Sequence, residues 1–171
     1  MAFLDLVKSR FSVRSFKDQP IEEEKLQTIL EAGRLVPSAH NNQPQRIYIA
    51  RSEEARKKLE SVCPCTFHAP LILVVCYDRD RERKSKMNPG FAFGEIDATI
   101  ACTQMMLEAA DLGIGCCWVG MFNKQALAEA LALPEQIVPS AMLTMGYPAE
   151  DAKPLPLHYQ KRELSDIAEE L

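Results

Sequence analysis

Three short stretches hold the side chains whose types and spacing could do chemistry. Arg10-Phe11-Ser12-Val13-Arg14 alternates polar and apolar positions, so an extended backbone would show Arg10, Ser12 and Arg14 on one face. Guanidinium forks grip phosphate oxygens in pairs and stay charged at any working pH, and a hydroxyl or backbone N–H completes such a cradle. A solvated charged edge has the same appearance. Pro37-Ser38-Ala39-His40-Asn41-Asn42-Gln43-Pro44 gathers short donors and acceptors between two prolines that fix the backbone. It reads either as a plain helix-to-strand connection or as a loop able to hold a polar, planar ligand without reorganisation. Gly113-Ile114-Gly115-Cys116-Cys117-Trp118-Val119-Gly120 is an apolar run punctuated by glycines, and glycine at 120 would let main chain approach a ligand plane.

Other chemistries are absent. Six cysteines occur, but Cys63-Pro64-Cys65 and Cys116-Cys117 lack the separated Cys-x2-Cys pairs of a zinc site, and the three histidines are scattered. Cys76, Cys102, Cys116 and Cys117 lie in apolar segments and read as buried small hydrophobes, while Cys63 and Cys65 keep a minor redox reading. Gly113-x-Gly115 stands at a helix-to-strand step, the reverse of a dinucleotide phosphate loop, and no Gly-x-Ser-x-Gly elbow appears. A net charge of −4 without a basic stripe excludes a nucleic-acid or anionic-membrane footprint.

The elements that must position these stretches follow from periodicity. At 171 residues, 47% hydrophobic and 26% charged, the chain fits a single domain over 1–171. Helical spacing predicts a short helix over 2–9 that delivers the basic segment, and a second opening at Pro20 that buries Leu26, Ile29, Leu30, Gly33 and Leu35 before Pro37. Ile47-Tyr48-Ile49-Ala50 makes a strand, and Ser52 caps a charged helix through about Val62. Leu71-Ile72-Leu73-Val74-Val75-Cys76-Tyr77 is a central strand buried on both faces. Residues 78–94 turn charged, then Gly/Pro-bearing, and read as a mobile loop or short lid. Residues 97–112 form the most apolar helix, fit only for a core or a subunit interface. A strand over 116–119, a helix over 125–133 and a last strand from Ser140 complete an α+β fold, a mixed and partly parallel sheet of four to five strands flanked by helices. The longest apolar run, 69–77, is too short to span a bilayer, and without a signal-like N-terminus the expectation is a cytoplasmic protein.

In this order, from Phe3 to about Ile167, the three stretches resemble the nitroreductase family of FMN-dependent oxidoreductases. The resemblance implies an intertwined homodimer in which Arg10, Ser12 and Arg14 hold the FMN phosphate and ribityl end. Pro37, Ser38, Ala39, Asn41 and Gln43 would meet the flavin from the other subunit, with His40 behind them, and Gly120 and Met121 would offer backbone N–H groups near the flavin N5. A basic residue in the tail, Lys161 or Arg162, would reach the phosphate. The family's amide side chain ahead of Ala69-Pro70 has no match here. The implied activity is ping-pong transfer of hydride from NADH or NADPH to a nitroaromatic, quinone or similar small acceptor, with no metal. Alternatives are a narrower relative, such as a reductive dehalogenase or ene-type reductase, and a flavin-binding or storage protein with little turnover.

Overall fold

The computed structural model describes residues 2–171. Its centre is an eight-residue strand, β2 (Leu71–Asp78), whose unbroken β-branched and aliphatic run leaves no polar face, so it is covered on both sides. Odd positions Leu71, Leu73 and Val75 face one core with Leu26, Ile29, Met105 and Ala109. Even positions Ile72, Val74 and Cys76 face another with Leu59, Leu127 and Met142. The period-2 alternation of a strand thus gives a three-layer sandwich. α2 (Glu23–Arg34) and α4 (Gly94–Asp111) cover one face of the sheet, and α3 (Glu53–Glu60) and α5 (Lys124–Ala130) the other.

Four strands make the sheet among the described residues, β1 (Gln45–Ala50), β2, β3 (Gly115–Val119) and β4 (Ile137–Gly146), in the order β1-β2-β4-β3. Every neighbouring pair is antiparallel, which corrects the expected partly parallel pairing. The physical reason is an insertion. The crossover through α4 does make β2 and β3 run the same way, but β4 lies between them and is antiparallel to both. Among the described residues, parallel pairing survives at a single bridge, from Ser12, outside the named strands, to Cys116 of β3.

Local chemistry sets the ends of the elements. Ser52 and Asn123 accept from the N–H groups of Ala55 (3.2 Å) and Ala126 (2.9 Å), capping α3 and α5. α2 packs closely on α4 because Gly33 has no side chain: a Cβ there would stand 2.7 Å from the Met105 Sδ. Its buried face is Leu26, Ile29 and Gly33, whereas Leu35 is 62% exposed and Val36 is buried in its place. The helical turn ends at that step, and the change of backbone direction swaps the faces. α4 starts at Gly94, earlier than expected. Only glycine fits there, because a Cβ would stand 2.3 Å from the Tyr77 ring and 2.5 Å from the Glu82 carboxylate. β4 likewise starts early, at Ile137, and carries Pro139 within it. The register shift between Val75 and Cys76 absorbs that proline, which cannot donate to a ladder, and leaves the buried Ser140 without a cross-strand partner. The 78–94 segment folds back on itself, with Ser85 and Phe93 N–H groups donating to Phe91 and Arg83 carbonyls at 2.9 Å. Among the described residues no helix is long and apolar enough to cross a membrane.

Candidate functional site

α1 (Phe3–Ser9) ends at Arg10, and the chain then runs extended along the free edge of β3. Val13 donates to Cys116 O (3.0 Å), Lys17 to Tyr147 O (2.8 Å), and Ala149 returns a bond to Ser15 O (3.0 Å). The Val13 side chain is buried, which turns the flanking polar residues toward the other side of the backbone. Arg14 donates to Ser12 O (3.2 Å) and lies 5.9 Å above the Phe67 ring. No carboxylate pairs with Arg10 or Arg14 among the described residues. The chain itself therefore leaves both cations without an ion-pair partner.

Beside them run the loop over residues 63–68 and the turn after β3, of which the sequence had marked Cys63, Cys65, Gly120 and Met121 but not Phe67 or His68. Cys63 Sγ donates to Met121 O (3.5 Å), and Phe122 N–H donates to Gly120 O (3.1 Å), so both carbonyls of the turn after β3 are engaged. Met121 is 63% exposed and Trp118 40%, and Gly120 admits no side chain because the Trp118 ring lies 2.8 Å from where a Cβ would be. Phe67 and His68 both adopt left-handed backbone, φ 53° and 49°, an arrangement that costs energy and recurs at ligand sites. All six cysteines are free. Burial raises the Cys63 and Cys117 thiols, so neither is the activated thiolate that redox chemistry would use; Arg14, Arg10 and a hydrogen bond with Ser12 only partly offset this at Cys117.

The second sequence motif lies elsewhere. Residues 37–44 connect α2 to β1 and sit at the opposite edge of the sheet from the basic segment. Ser38 Oγ accepts from Gln43 N–H (2.9 Å), and Asn41 and Asn42 N–H groups donate to Ser38 and Ala39 carbonyls at 2.9 and 3.2 Å. His40, Asn41 and Gln43 are all left-handed, φ 59°, 54° and 50°. From outside the loop, Asp97 Oδ1 on the first turn of α4 accepts from Ala39 N–H at 2.9 Å. Asp97 is only 2% exposed, its Oδ2 has no partner, and burial raises its pKa against the lowering effect of the Ala39 bond. The sequence marked Asp97 only as a helix start. The Gln43 side of the loop opens on a polar groove of about 400 Å³ shared with Gln45, Arg46 and Arg81.

The structure thus sets Arg10, Ser12 and Arg14 along the edge of β3, the strand that leads to Gly120 and Met121, and brings Pro37, Ser38, Ala39, Asn41 and Gln43 together at the other edge. It does not join the two groups. With β1-β2-β4-β3 between them and strands spaced about 4.8 Å apart, the separation is roughly 19 Å. The tail returns to the basic segment where the Phe11 and His158 rings meet edge-on, 6.4 Å between centroids. Lys161 and Arg162 are exposed on that tail and donate to the carbonyls of His158 and Asp166.

The Nitroreductase family profile matches residues 7–67 and 63–147, which include the basic segment, the 37–44 loop and the Gly120-Met121 turn. A protein from Methanothermobacter thermautotrophicus, provisionally named an NADH dehydrogenase/NAD(P)H nitroreductase, is 31% identical over 158 residues, 88% of this chain and 80% of that one. A solved nitroreductase family protein from Clostridium difficile is 33% identical with a TM-score of 0.92, over 99% of this chain and 98% of that one. A provisionally named nitroreductase from Desulfovibrio desulfuricans, solved in complex with FMN, is 28% identical with a TM-score of 0.83, over 100% and 97% of the two chains. With the expected motifs found at the two sheet edges and a fold shared over nearly its whole length, this chain belongs to the nitroreductase family.

Proposed function

We propose that the protein is an FMN-dependent oxidoreductase that takes hydride from NADH or NADPH and reduces a small acceptor, a nitroaromatic, a quinone or a similar compound, with ping-pong kinetics. The observation that carries this reading is the unneutralised pair Arg10 and Arg14, held by backbone bonds at a sheet edge in a chain of this family. The donor set fits a phosphate-bearing flavin: two guanidiniums and a serine hydroxyl suit a dianion, and the exposed Gly120-Met121 turn has room for a planar ring. FMN supplies the hydride chemistry when bound, which accounts for a site without a side-chain nucleophile. The chain's own work is to hold and orient. Arg10 and Arg14 neutralise the phosphate, and the Ser12 hydroxyl bonds the same end. The Met121 N–H, which shares a peptide plane with the Gly120 carbonyl bonded by Phe122, would face the ring, and the Gly120 N–H beside it would add a second donor.

The loop at the other sheet edge serves the flavin of a second copy in this reading, so the protein works as a homodimer. Two observations support that assembly. Within one chain the sheet stands between the half-sites. In addition, α4 keeps an apolar second face: Phe3, Leu6, Ile100 and Leu107 line a groove of about 710 Å³ along it, with Ile96 44% exposed nearby. A two-fold axis through that face would carry each loop toward the other chain's basic segment.

Titration of the protein with FMN, followed by quenching of its single tryptophan, Trp118, tests the cofactor claim. Saturable quenching and a raised melting temperature are expected, about 2.7 kcal/mol of added stability at a hundred times the dissociation constant. No quenching and an unchanged melting curve would discard it. Consumption of NAD(P)H with and without acceptor then separates an enzyme from a flavin store, and parallel double-reciprocal lines are expected.

A further inference from the structure

We infer that Asp97 is a positioning residue for the cofactor loop, acting by holding the Ala39 N–H so that the strained turn over 38–43 keeps its left-handed residues in place. The inference rests on the reading of that loop as part of an FMN site, and adds a residue that lies outside both motifs.

Left-handed backbone costs non-glycine residues energy, and here three of them, His40, Asn41 and Gln43, fall within four positions. Such a turn persists only where its surroundings over-determine it. Three of the bonds that hold it are internal: Ser38 Oγ with Gln43 N–H, and the carbonyls of Ser38 and Ala39 with Asn41 and Asn42. Internal bonds close the turn but do not place it relative to the rest of the molecule. Asp97 does, because it stands on α4, which packs against β1, β2, β3 and β4. The carboxylate is 2% exposed, so its bond to Ala39 does not compete with bulk water. It also sits in the first turn of an 18-residue helix, where negative charge is favoured by the helix dipole. Its second oxygen is buried without a partner, a cost the fold tolerates at this one point of α4. Because α4 also carries the apolar face assigned to the second copy, one helix sets both the subunit contact and the loop delivered across it.

The test measures FMN affinity of folded dimer for wild type, Asp97→Asn, Asp97→Ala and the double variant Asp97→Ala with His40→Gly. Asparagine keeps an acceptor for Ala39, so Asp97→Asn should stay within about threefold of wild type. Asp97→Ala leaves the N–H unsatisfied and should weaken FMN at least tenfold, about 1.4 kcal/mol. Glycine at position 40 lowers the cost of the left-handed turn and should recover about threefold or more in the alanine background. A purely structural role in α4 would give no such rescue by a loop glycine. If Asp97→Ala fails to fold, Ala39→Pro deletes the same N–H from the other partner; Ser38 is already extended (φ −138°, ψ 157°), as a residue before proline must be. That variant should show the same loss. Wild-type affinity in Asp97→Ala or Ala39→Pro, equal weakness of the asparagine and alanine variants, or no recovery with glycine would each overturn the inference. A wild-type protein that does not bind FMN would instead sink the functional reading on which it stands.

Discussion

The two proposed half-sites are built in opposite ways. The basic segment is extended and pinned by main-chain bonds to β3 and to the exit of β4, so its geometry belongs to the sheet and its side chains remain free to bind. The loop over 37–44 is strained, closed largely by its own bonds, and tied to the scaffold by Asp97 at Ala39 and by the Asp78 N–H at Pro44 O, where β1 begins. One half is rigid because of where its backbone lies; the other because of what a few side chains hold. Substitutions in the first should therefore remove ligand contacts without moving the backbone. Substitutions in the second should move the backbone.

The largest expected effect lies in the first region. Arg14→Glu replaces a charge-assisted contact worth about 1.5–3 kcal/mol with repulsion, so FMN should weaken on the order of a hundredfold, while riboflavin, which has no phosphate, changes little. Binding isotherms for both ligands check this, and equal losses would place Arg14 elsewhere. Arg10→Glu should behave in the same way. Next comes Ser38→Ala, which removes the acceptor for Gln43 N–H and should cost FMN roughly tenfold, with riboflavin losing as much because the loop itself shifts. That contrast between two ligands is the comparison in measurable form. A phosphate-selective loss in Ser38→Ala would contradict it.

Smaller effects concern the scaffold. Gly94→Ala forces a methyl against Tyr77 and Glu82 at the start of α4 and should lower stability by about 1–3 kcal/mol, read as a shifted denaturation midpoint. The smallest is a pH effect on stability. Burial raises the Asp97 pKa in the folded protein, so the native state holds this proton more tightly than the unfolded chain does. Its contribution to stability is fully present below the unfolded carboxylate value of about 3.9 and is lost as pH rises through the raised folded value. Asp97→Asn has no such dependence. The stability of Asp97→Asn relative to wild type should therefore climb with pH across that window and then level off, and a decline would show that the carboxylate charge is net stabilised in the fold.

How far the sequence revealed this molecule depended on whether a feature was local. The central strand, the cap at Ser52 and the basic segment follow from periodicity and residue type, and each was legible. Leu35 misled because apolar spacing continued one residue past the point where the backbone turned. The last strand begins before Ser140 because the bulge that accommodates Pro139 involves Val75 and Cys76, far away in sequence. The sheet order was hidden for the same reason: β4 enters between β2 and β3 after both have been made. At the site, the motif residues could be named in advance, but Asp97 and Phe67 could not, and Cys63 was marked only for its thiol and not for its bond to Met121. Their roles are single contacts across 58 residues or, for Phe67, a guanidinium laid over its ring, and no pattern within the chain announces them.

The central claim is that each flavin is held by the basic segment of one chain and the loop of another. One variant carries Arg10→Glu and Arg14→Glu; a second carries bulky replacements of Ser38, Asn41 and Gln43; neither homodimer should hold flavin. The two are unfolded, mixed in equal amounts and refolded, and mixed dimers are identified by mass. In a two-fold mixed dimer one site collects both sets of lesions and the other collects neither. Random pairing makes about half the dimers mixed, so about a quarter of the wild-type flavin sites should return. Mixed dimers that remain free of flavin would contradict the shared site.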